Sequence, residues 1–169
     1  HRIARRQRQM CIRDRLTTQL RRDVETVWIH RGMEPFGGGN NNLLIHTDWS
    51  ERHYERQGIL EETFVHEAAH TSLDARPAQS AKCLQAQEAD CHFISTYAED
   101  YPLREDIAES YLPYLAVRYR SDRVSAALKR QIEMTIPNRI EYFDAQDFSM
   151  YPILDLSLIH ISEPTRRAI

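Results

Sequence analysis

The sequence predicts a mostly helical α+β domain with a small β-sheet. Several stretches place apolar residues three or four positions apart, which is typical of amphipathic helices. One short apolar run, residues 43–47, is rich in strand formers. The length of 169 residues and a hydrophobic fraction of 41% suit a single domain with one modest core.

Five helices and one strand are expected. An Asn- and Gly-rich stretch, residues 37–42, predicts a flexible loop that leads into the 43–47 strand, which we interpret as an edge strand. Residues 138–155 are aromatic-rich and irregular in pattern. The predicted helices cover residues 16–30, 51–73 with a break near Gly58, 84–98, 105–119 with a kink at Pro113, and 121–136 with Asp122 as cap and Pro137 as stop.

Both ends of the chain look foreign to this domain. Residues 6–14 and 157–166 resemble translated sequencing-adapter sequence, and neither stretch shows amphipathic periodicity or a plausible cap. We therefore expect residues 1–15 and 157–169 to be artefactual tails and residues 16–156 to be the domain. The alternative is a basic N-terminal arm that binds nucleic acid, for which clustered arginines alone are weak evidence.

The charge balance argues against polyanionic partners. The two end segments hold eight of the 22 basic and two of the 25 acidic residues, which leaves 14 basic and 23 acidic side chains and a formal charge of −9 for residues 16–156. Nucleic acid and anionic membranes are thus not expected partners. The mean hydropathy is −0.61, and no run approaches the roughly 18 apolar residues of a membrane helix, so no membrane insertion is expected.

The cysteines give a weak indication of compartment. Cys11 lies in the N-terminal segment, and Cys83 and Cys91 remain as an even pair. A disulfide between them would fit a secreted or periplasmic protein, which is the localisation we predict. On one unbroken helix, eight residues span about 12 Å, which is too far for a disulfide, so the bond requires a helix that begins after Cys83.

The chemistry of the chain is concentrated in residues 66–70, His-Glu-Ala-Ala-His. Residues four apart share a helix face, so His66 and His70 can direct both imidazoles at one zinc ion. Glu67 lies beside them and can take a proton from a metal-activated water. This pattern predicts a zinc-dependent hydrolase, most often a peptidase.

A hydrolytic zinc site needs a third protein ligand. A histidine six residues after His70 is excluded, because Arg76 stands there. Asp74 could bind the same ion as His66 only if the helix unwinds; otherwise it is a supporting group near the helix end. The remaining candidates are Glu105 and Glu109, four apart on one helical face, where one could bind the metal and the other could accept a histidine N–H.

Residues 62–71, followed by residues 105–110, resemble the gluzincin metallopeptidases, which include the thermolysin-like and anthrax lethal factor-like catalytic cores. The resemblance implies a zincin-like core in which Glu105 is the third zinc ligand and Glu109 orients His66. It also implies a tyrosine that donates to the oxyanion. Tyr97 fits that role best, and Tyr101 is the alternative.

The expected function is hydrolysis of peptide bonds in a peptide or protein, with zinc as cofactor and Glu67 as general base. One alternative is a zinc-containing binding module without turnover, although an intact base argues against it. A second alternative is a zinc hydrolase that acts on a non-peptide amide. An extended peptide could add as a strand to residues 43–47, if that strand lies at an edge.

Overall fold

The structure, a computed structural model, describes residues 2–153. The predicted class, mostly helical α+β with a small sheet, is confirmed. No helix in this range is long and apolar enough to cross a bilayer. The helices are α1 (Arg2–Arg15), α2 (Thr18–Arg21), α3 (Thr47–Arg52), α4 (Tyr54–Gln57), α5 (Leu60–Leu73), α6 (Ala81–Asp90), α7 (Thr96–Asp100), α8 (Asp106–Tyr119), α9 (Ala126–Thr135) and α10 (Pro137–Asp144), with a 3-10 turn at Ser121–Arg123.

The sheet has three strands in the order β1-β3-β2, with β1 (Thr26–His30) parallel and β2 (Gly37–Gly39) antiparallel to β3 (Asn42–His46). The predicted strand is confirmed, within one residue, as β3. Its predicted edge position is wrong, because both of its sides are paired. Leu43 and Ile45 of β3 are almost fully buried and join the sheet to the hydrophobic core.

The helix predicted over residues 16–30 is wrong for most of its length. Only α2 is helical there, and the chain then extends into β1. The segment 26–29 is Thr-Val-Trp-Ile, whose β-branched and aromatic side chains favour a strand. Val27 and Ile29 pair with Leu43 and Ile45 of β3. Long-range strand pairing therefore overrides the local helical spacing.

The predicted flexible loop at residues 37–42 is a hairpin instead. Asn40 and Asn41 connect β2 to β3 with φ angles of 49° and 59°. Positive φ at both central residues is what a two-residue type I′ turn requires, and Asn tolerates it. Gly38 has a different reason, since a Cβ there would lie 1.9 Å from the carbonyl oxygen of Glu67. Glycine thus lets β2 approach α5.

Helix α5 lies between the β-hairpin and α8, with contacts to β2 and β3 on one side and to α8 on the other. Phe64, Ala68, Ala69 and Leu73 of α5 are almost fully buried in the hydrophobic core. Helix α8 is held on its far side by aromatic packing, where the rings of Tyr111 and Phe143 meet edge-to-face with centroids 5.4 Å apart. The central layers therefore hold α5 and α8 side by side.

Three further expectations about helices need correction. The helix predicted over 84–98 is two helices, because Cys91 adopts a left-handed conformation with φ 56° and ends α6. Ser125, rather than Asp122, caps α9 through the N–H of Leu128. Residues 138–155 are not irregular throughout, because α10 covers Pro137–Asp144. Pro137 occupies its first turn, where a missing N–H costs nothing.

The structure does not contain the disulfide that the sequence leaves open between Cys83 and Cys91. Helix α6 begins at Ala81, before Cys83, so both cysteines belong to one helical segment with Cys91 as its C-cap. Cys83 is buried and Cys91 is exposed, and both are free thiols.

The N-terminal segment is helical and contacts α5. Ile12 and Gln9 are buried, and Ile12 belongs to the hydrophobic core together with Leu16. One face of residues 9–16 is thus buried, at positions 9, 12 and 16. The foreign origin of residues 1–15 stays a prediction, and the predicted C-terminal tail, residues 157–169, lies outside the described residues.

Candidate metal centre

Helix α5 places two imidazoles side by side. His66 and His70 are one turn apart, and their Nε2 atoms lie 3.2 Å from each other. The rings meet edge-on, with centroids 4.7 Å apart. Both side chains are partly buried, at 20% and 10% exposed, so the nitrogen atoms face a site that is shielded but still accessible.

Glu105, at the N-cap of α8, adds a carboxylate oxygen to the two imidazole nitrogens. Its Oε2 lies 3.0 Å from Nε2 of His70 and 3.6 Å from Nε2 of His66. The side chain is only 3% exposed, and Arg104 contacts its other oxygen from the surface at 3.2 Å. We call His66, His70 and Glu105 the acceptor triad.

The outer nitrogen of each histidine faces a carboxylate. Nδ1 of His70 lies 3.0 Å from Asp74, and Nδ1 of His66 lies 3.3 Å from Glu109. Because a carboxylate only accepts, each Nδ1 carries the hydrogen and donates it. In the neutral imidazole, the lone pair is then on Nε2, the atom that points into the triad. Ser95 in turn donates to Glu109 at 2.7 Å and holds it in place.

The triad fits a metal ion by distance and by chemistry. Tetrahedral zinc with bonds of about 2.0–2.1 Å separates its ligand atoms by about 3.4 Å, close to the 3.0–3.6 Å found here. Three hydrogen-bond acceptors converge here without a hydrogen-bond donor among them. A cation would therefore offset the repulsion between their lone pairs. In the described residues, His66, His70 and Glu105 form the one group of this kind that could hold a metal ion.

The titration behaviour of the site follows from this crowding. Burial lowers the pKa of His70, but the hydrogen bond that His70 donates to Asp74 and the charges of Asp74, Glu105 and Glu67 outweigh burial and raise it above the usual value. The hydrogen bond with His66 lowers the pKa of Glu109. The carboxylates around His70 therefore favour its charged form, as they would favour a cation bound beside it.

Glu67 lies where α5 packs against the β-hairpin. Burial raises the pKa of its carboxyl, although the neighbouring His66 and His70 lower it. The backbone of Gly38 lies against Glu67. A base whose pKa is raised holds an abstracted proton more firmly, which suits a group that must accept a proton and then release it.

Thr71 joins the β-hairpin to α5. Its hydroxyl accepts the N–H of Gly39 at 2.9 Å and lies 3.1 Å from the carbonyl oxygens of Asn42 and Glu67. One side chain thus spans β2, β3 and the helix that carries Glu67. This role was not predicted, because the hairpin had been interpreted as a loop.

The two candidate tyrosines are placed differently. Burial and a hydrogen bond to Glu105 raise the pKa of Tyr97, so its hydroxyl reaches the acceptor triad. Tyr101 instead packs its ring on that of Tyr97, with centroids 5.3 Å apart. Both are about half exposed.

The sequence predicts that the triad, Glu67 and Glu109 lie together, and the structure brings these side chains to one place. Asp74 does not join the triad; it takes the supporting position that was the other expectation for it. Ser95 was missed, because its capping role is visible only when α6 and α7 are separate helices.

Comparison with known proteins gives no match: no family model, curated protein or solved structure resembles this chain significantly.

Proposed function

We propose that this chain is a zinc-dependent peptidase with a zincin-like core of the gluzincin type. The observation that carries the proposal is the convergence of three lone-pair donors, from His66, His70 and Glu105, next to the carboxyl of Glu67. Three protein ligands leave a vacant position at a tetrahedral ion, as in catalytic rather than structural zinc sites. When bound, zinc supplies a Lewis acid that acidifies water and polarises a carbonyl group.

The protein side chains supply the remaining chemistry. Glu67 takes a proton from the attacking water and delivers it to the leaving amine. The hydroxyl of Tyr97 donates to the oxygen of the tetrahedral species. Asp74 and Glu109 hold the two imidazoles in the tautomer that leaves Nε2 free to bind.

The substrate strand is assigned to β2 instead of β3. Residues 43–47 cannot accept an added strand, because β3 is paired on both sides. Of the two edge strands in the described sheet, β2 lies against Glu67. The N–H of Gly39 is taken by Thr71, so an extended peptide beside β2 would bond to the remaining backbone groups of the strand as it runs past the general base, which favours peptides over compact substrates.

The decisive experiment is a digest of a peptide library by the wild type and by Glu67→Gln, read by mass spectrometry, with zinc content measured on both. We expect Glu67→Gln to retain zinc and to lose activity by a factor of about 100 or more. Glu62→Gln is the matched control, since Glu62 is an exposed glutamate on the same helix; it should digest like the wild type.

Each other outcome has a clear meaning. Zinc without cleavage in the wild type favours the binding module. Cleavage that resists a chelator contradicts the metal mechanism. Activity of Glu67→Gln equal to that of the wild type contradicts the assignment of the base.

A further inference from the structure

A second group of charged side chains lies beneath the same turn of α8. Arg139 of α10 pairs with Asp90 of α6 and with Asp106 of α8, each at 2.8 Å. All three side chains are at most 4% exposed. We call these three residues the Arg139 cluster.

The Arg139 cluster is almost completely hydrogen-bonded. Asp90 accepts the backbone N–H groups of Asn138 and Arg139, at 2.7 and 3.0 Å, and so caps the start of α10. Gln87 donates to Asp106 at 2.9 Å and to the carbonyl oxygen of Pro102 at 2.8 Å.

The guanidinium of Arg139 makes two further contacts. It donates to the carbonyl of His92 at 3.0 Å, and its Cζ atom lies 5.0 Å from the ring centre of Phe93. The cluster therefore links the end of α6, the segment that follows it and the starts of α8 and α10.

The position of the cluster on α8 is the informative fact. Asp106 directly follows Glu105, and the two carboxylates face opposite sides of the helix start. Glu105 faces the histidines of α5, whereas Asp106 faces Arg139 of α10. The side chain of Glu105, at the N-cap position, makes no capping hydrogen bond to α8. The Arg139 cluster thus holds the first turn of α8 from one side. On the other side, the same turn presents Glu105 to the two histidines.

We propose that the Arg139 cluster is a positioning device that holds Glu105 at the distance required for metal binding. Asp106 and Arg139 do not touch the triad; they fix the backbone from which Glu105 extends. A buried ion network is weak evidence for stability, because apolar residues often serve equally well, so a positional role gives a reason for its presence. The inference rests on the metal site proposed above.

The test is the zinc affinity of the full chain, measured by competition with a chromophoric chelator. Asp106→Asn keeps the shape of the side chain and removes its charge. We expect zinc to bind about 10-fold to 100-fold more weakly, as is typical when a group that supports a ligand is lost. Gln87→Met removes one hydrogen bond to Asp106 and one to the carbonyl oxygen of Pro102, just before α8, so it should weaken zinc by a smaller factor; it serves if Asp106→Asn does not fold.

Two controls separate positioning from general destabilisation. Arg118→Gln breaks the ion pair of Arg118 with Asp144, which also joins α8 to α10 but lies about 20 Å further along α8. Ile132→Ala removes a buried side chain of α9 and lowers the melting temperature away from the site. Both controls should bind zinc like the wild type.

The outcomes distinguish the two proposals. If the wild type does not bind zinc, the proposed function fails. If the wild type binds zinc and Asp106→Asn binds it equally well, the cluster is only structural and the positioning role is overturned. Gln87→Met decides in the same way if Asp106→Asn is unfolded. Weakening in both controls as large as in Asp106→Asn would overturn it as well.

Discussion

Two groups of charged side chains flank the first turn of α8, and they differ in composition. The acceptor triad brings two imidazole nitrogens and a carboxylate together without a donor among them. The Arg139 cluster places one cation between two carboxylates and satisfies almost every polar atom. Glu105 belongs to one group, and the next residue, Asp106, belongs to the other. A buried group whose acceptors the protein does not balance with donors or cations, which we call incomplete, indicates a ligand. A balanced group, which we call complete, indicates a structural role.

Arg139→Met should produce the largest effect on stability. It leaves the carboxylates of Asp90 and Asp106 buried without a cation, so we expect a loss of about 3–5 kcal/mol in the free energy of unfolding, measured by urea denaturation. For a chain of this size that lowers the melting temperature by roughly 6–20 °C.

Removing the Glu105 carboxylate from the triad should not lower the free energy of unfolding in this way. In the zinc-free protein at pH 8, Glu105→Gln removes one of several crowded acceptors, so the free energy of unfolding should stay within about 1 kcal/mol of the wild type or rise. Equal destabilisation by the two variants would contradict the distinction between a complete and an incomplete group.

Glu105→Ala and Glu109→Ala separate a ligand from a supporting group. Zinc at about 100 times its dissociation constant should stabilise the wild type by about 2.7 kcal/mol, seen as a higher melting temperature. Glu105→Ala should abolish this shift. Glu109→Ala should keep part of it, with an affinity about 10-fold to 100-fold weaker, because the Nδ1 hydrogen of His66 loses its acceptor. The reverse result would make Glu109 the ligand.

Asp74→Asn tests the corresponding support of His70. Asn can still accept the Nδ1 hydrogen through its amide oxygen, but it lacks the charge, so zinc affinity should fall by about 10-fold. The measurement is chelator competition at pH 7.5, beside Asp147→Asn, an exposed aspartate remote in sequence from the site. Unchanged affinity would mean that the 3.0 Å contact does not orient the ring.

The sequence was informative where chemistry depends on local spacing. His66, Glu67 and His70 lie within one helical turn, so their common face follows from helix geometry alone. Glu105 and Glu109 could be recognised for the same reason. The strand pairing of β1 and the central place of β3 depend on contacts between distant segments, which periodicity does not report. The Arg139 cluster draws its members from three helices, and nothing in the neighbourhood of Asp90 or Arg139 in the sequence indicates that they meet.

Asn40 and Asn41 are a different case, because the signal was present. Three consecutive asparagines stand between a glycine run and an apolar run, and the first two adopt the left-handed conformation that suits a type I′ turn. The glycines drew attention to flexibility, whereas Gly38 is required for close packing on α5. Glycine in a short strand can thus report the approach of another backbone.

Tyr97→Phe and Tyr101→Phe should give the smallest difference and the finest test of the site. The hydroxyl of Tyr97 reaches Glu105, so it lies where a developing oxyanion would need a donor. Tyr101 instead packs its ring against that of Tyr97, and its backbone carbonyl accepts the N–H of Glu105 at 2.8 Å. We expect Tyr97→Phe to lower kcat/KM by about 10-fold, equivalent to roughly 1.4 kcal/mol of transition-state stabilisation, and to leave zinc content unchanged. Tyr101→Phe keeps the ring contact and should stay within about twofold of the wild type, since only a hydroxyl outside the triad is lost. A larger loss in Tyr101→Phe than in Tyr97→Phe would move the donor to Tyr101, and with it the face of the triad on which the carbonyl oxygen lies.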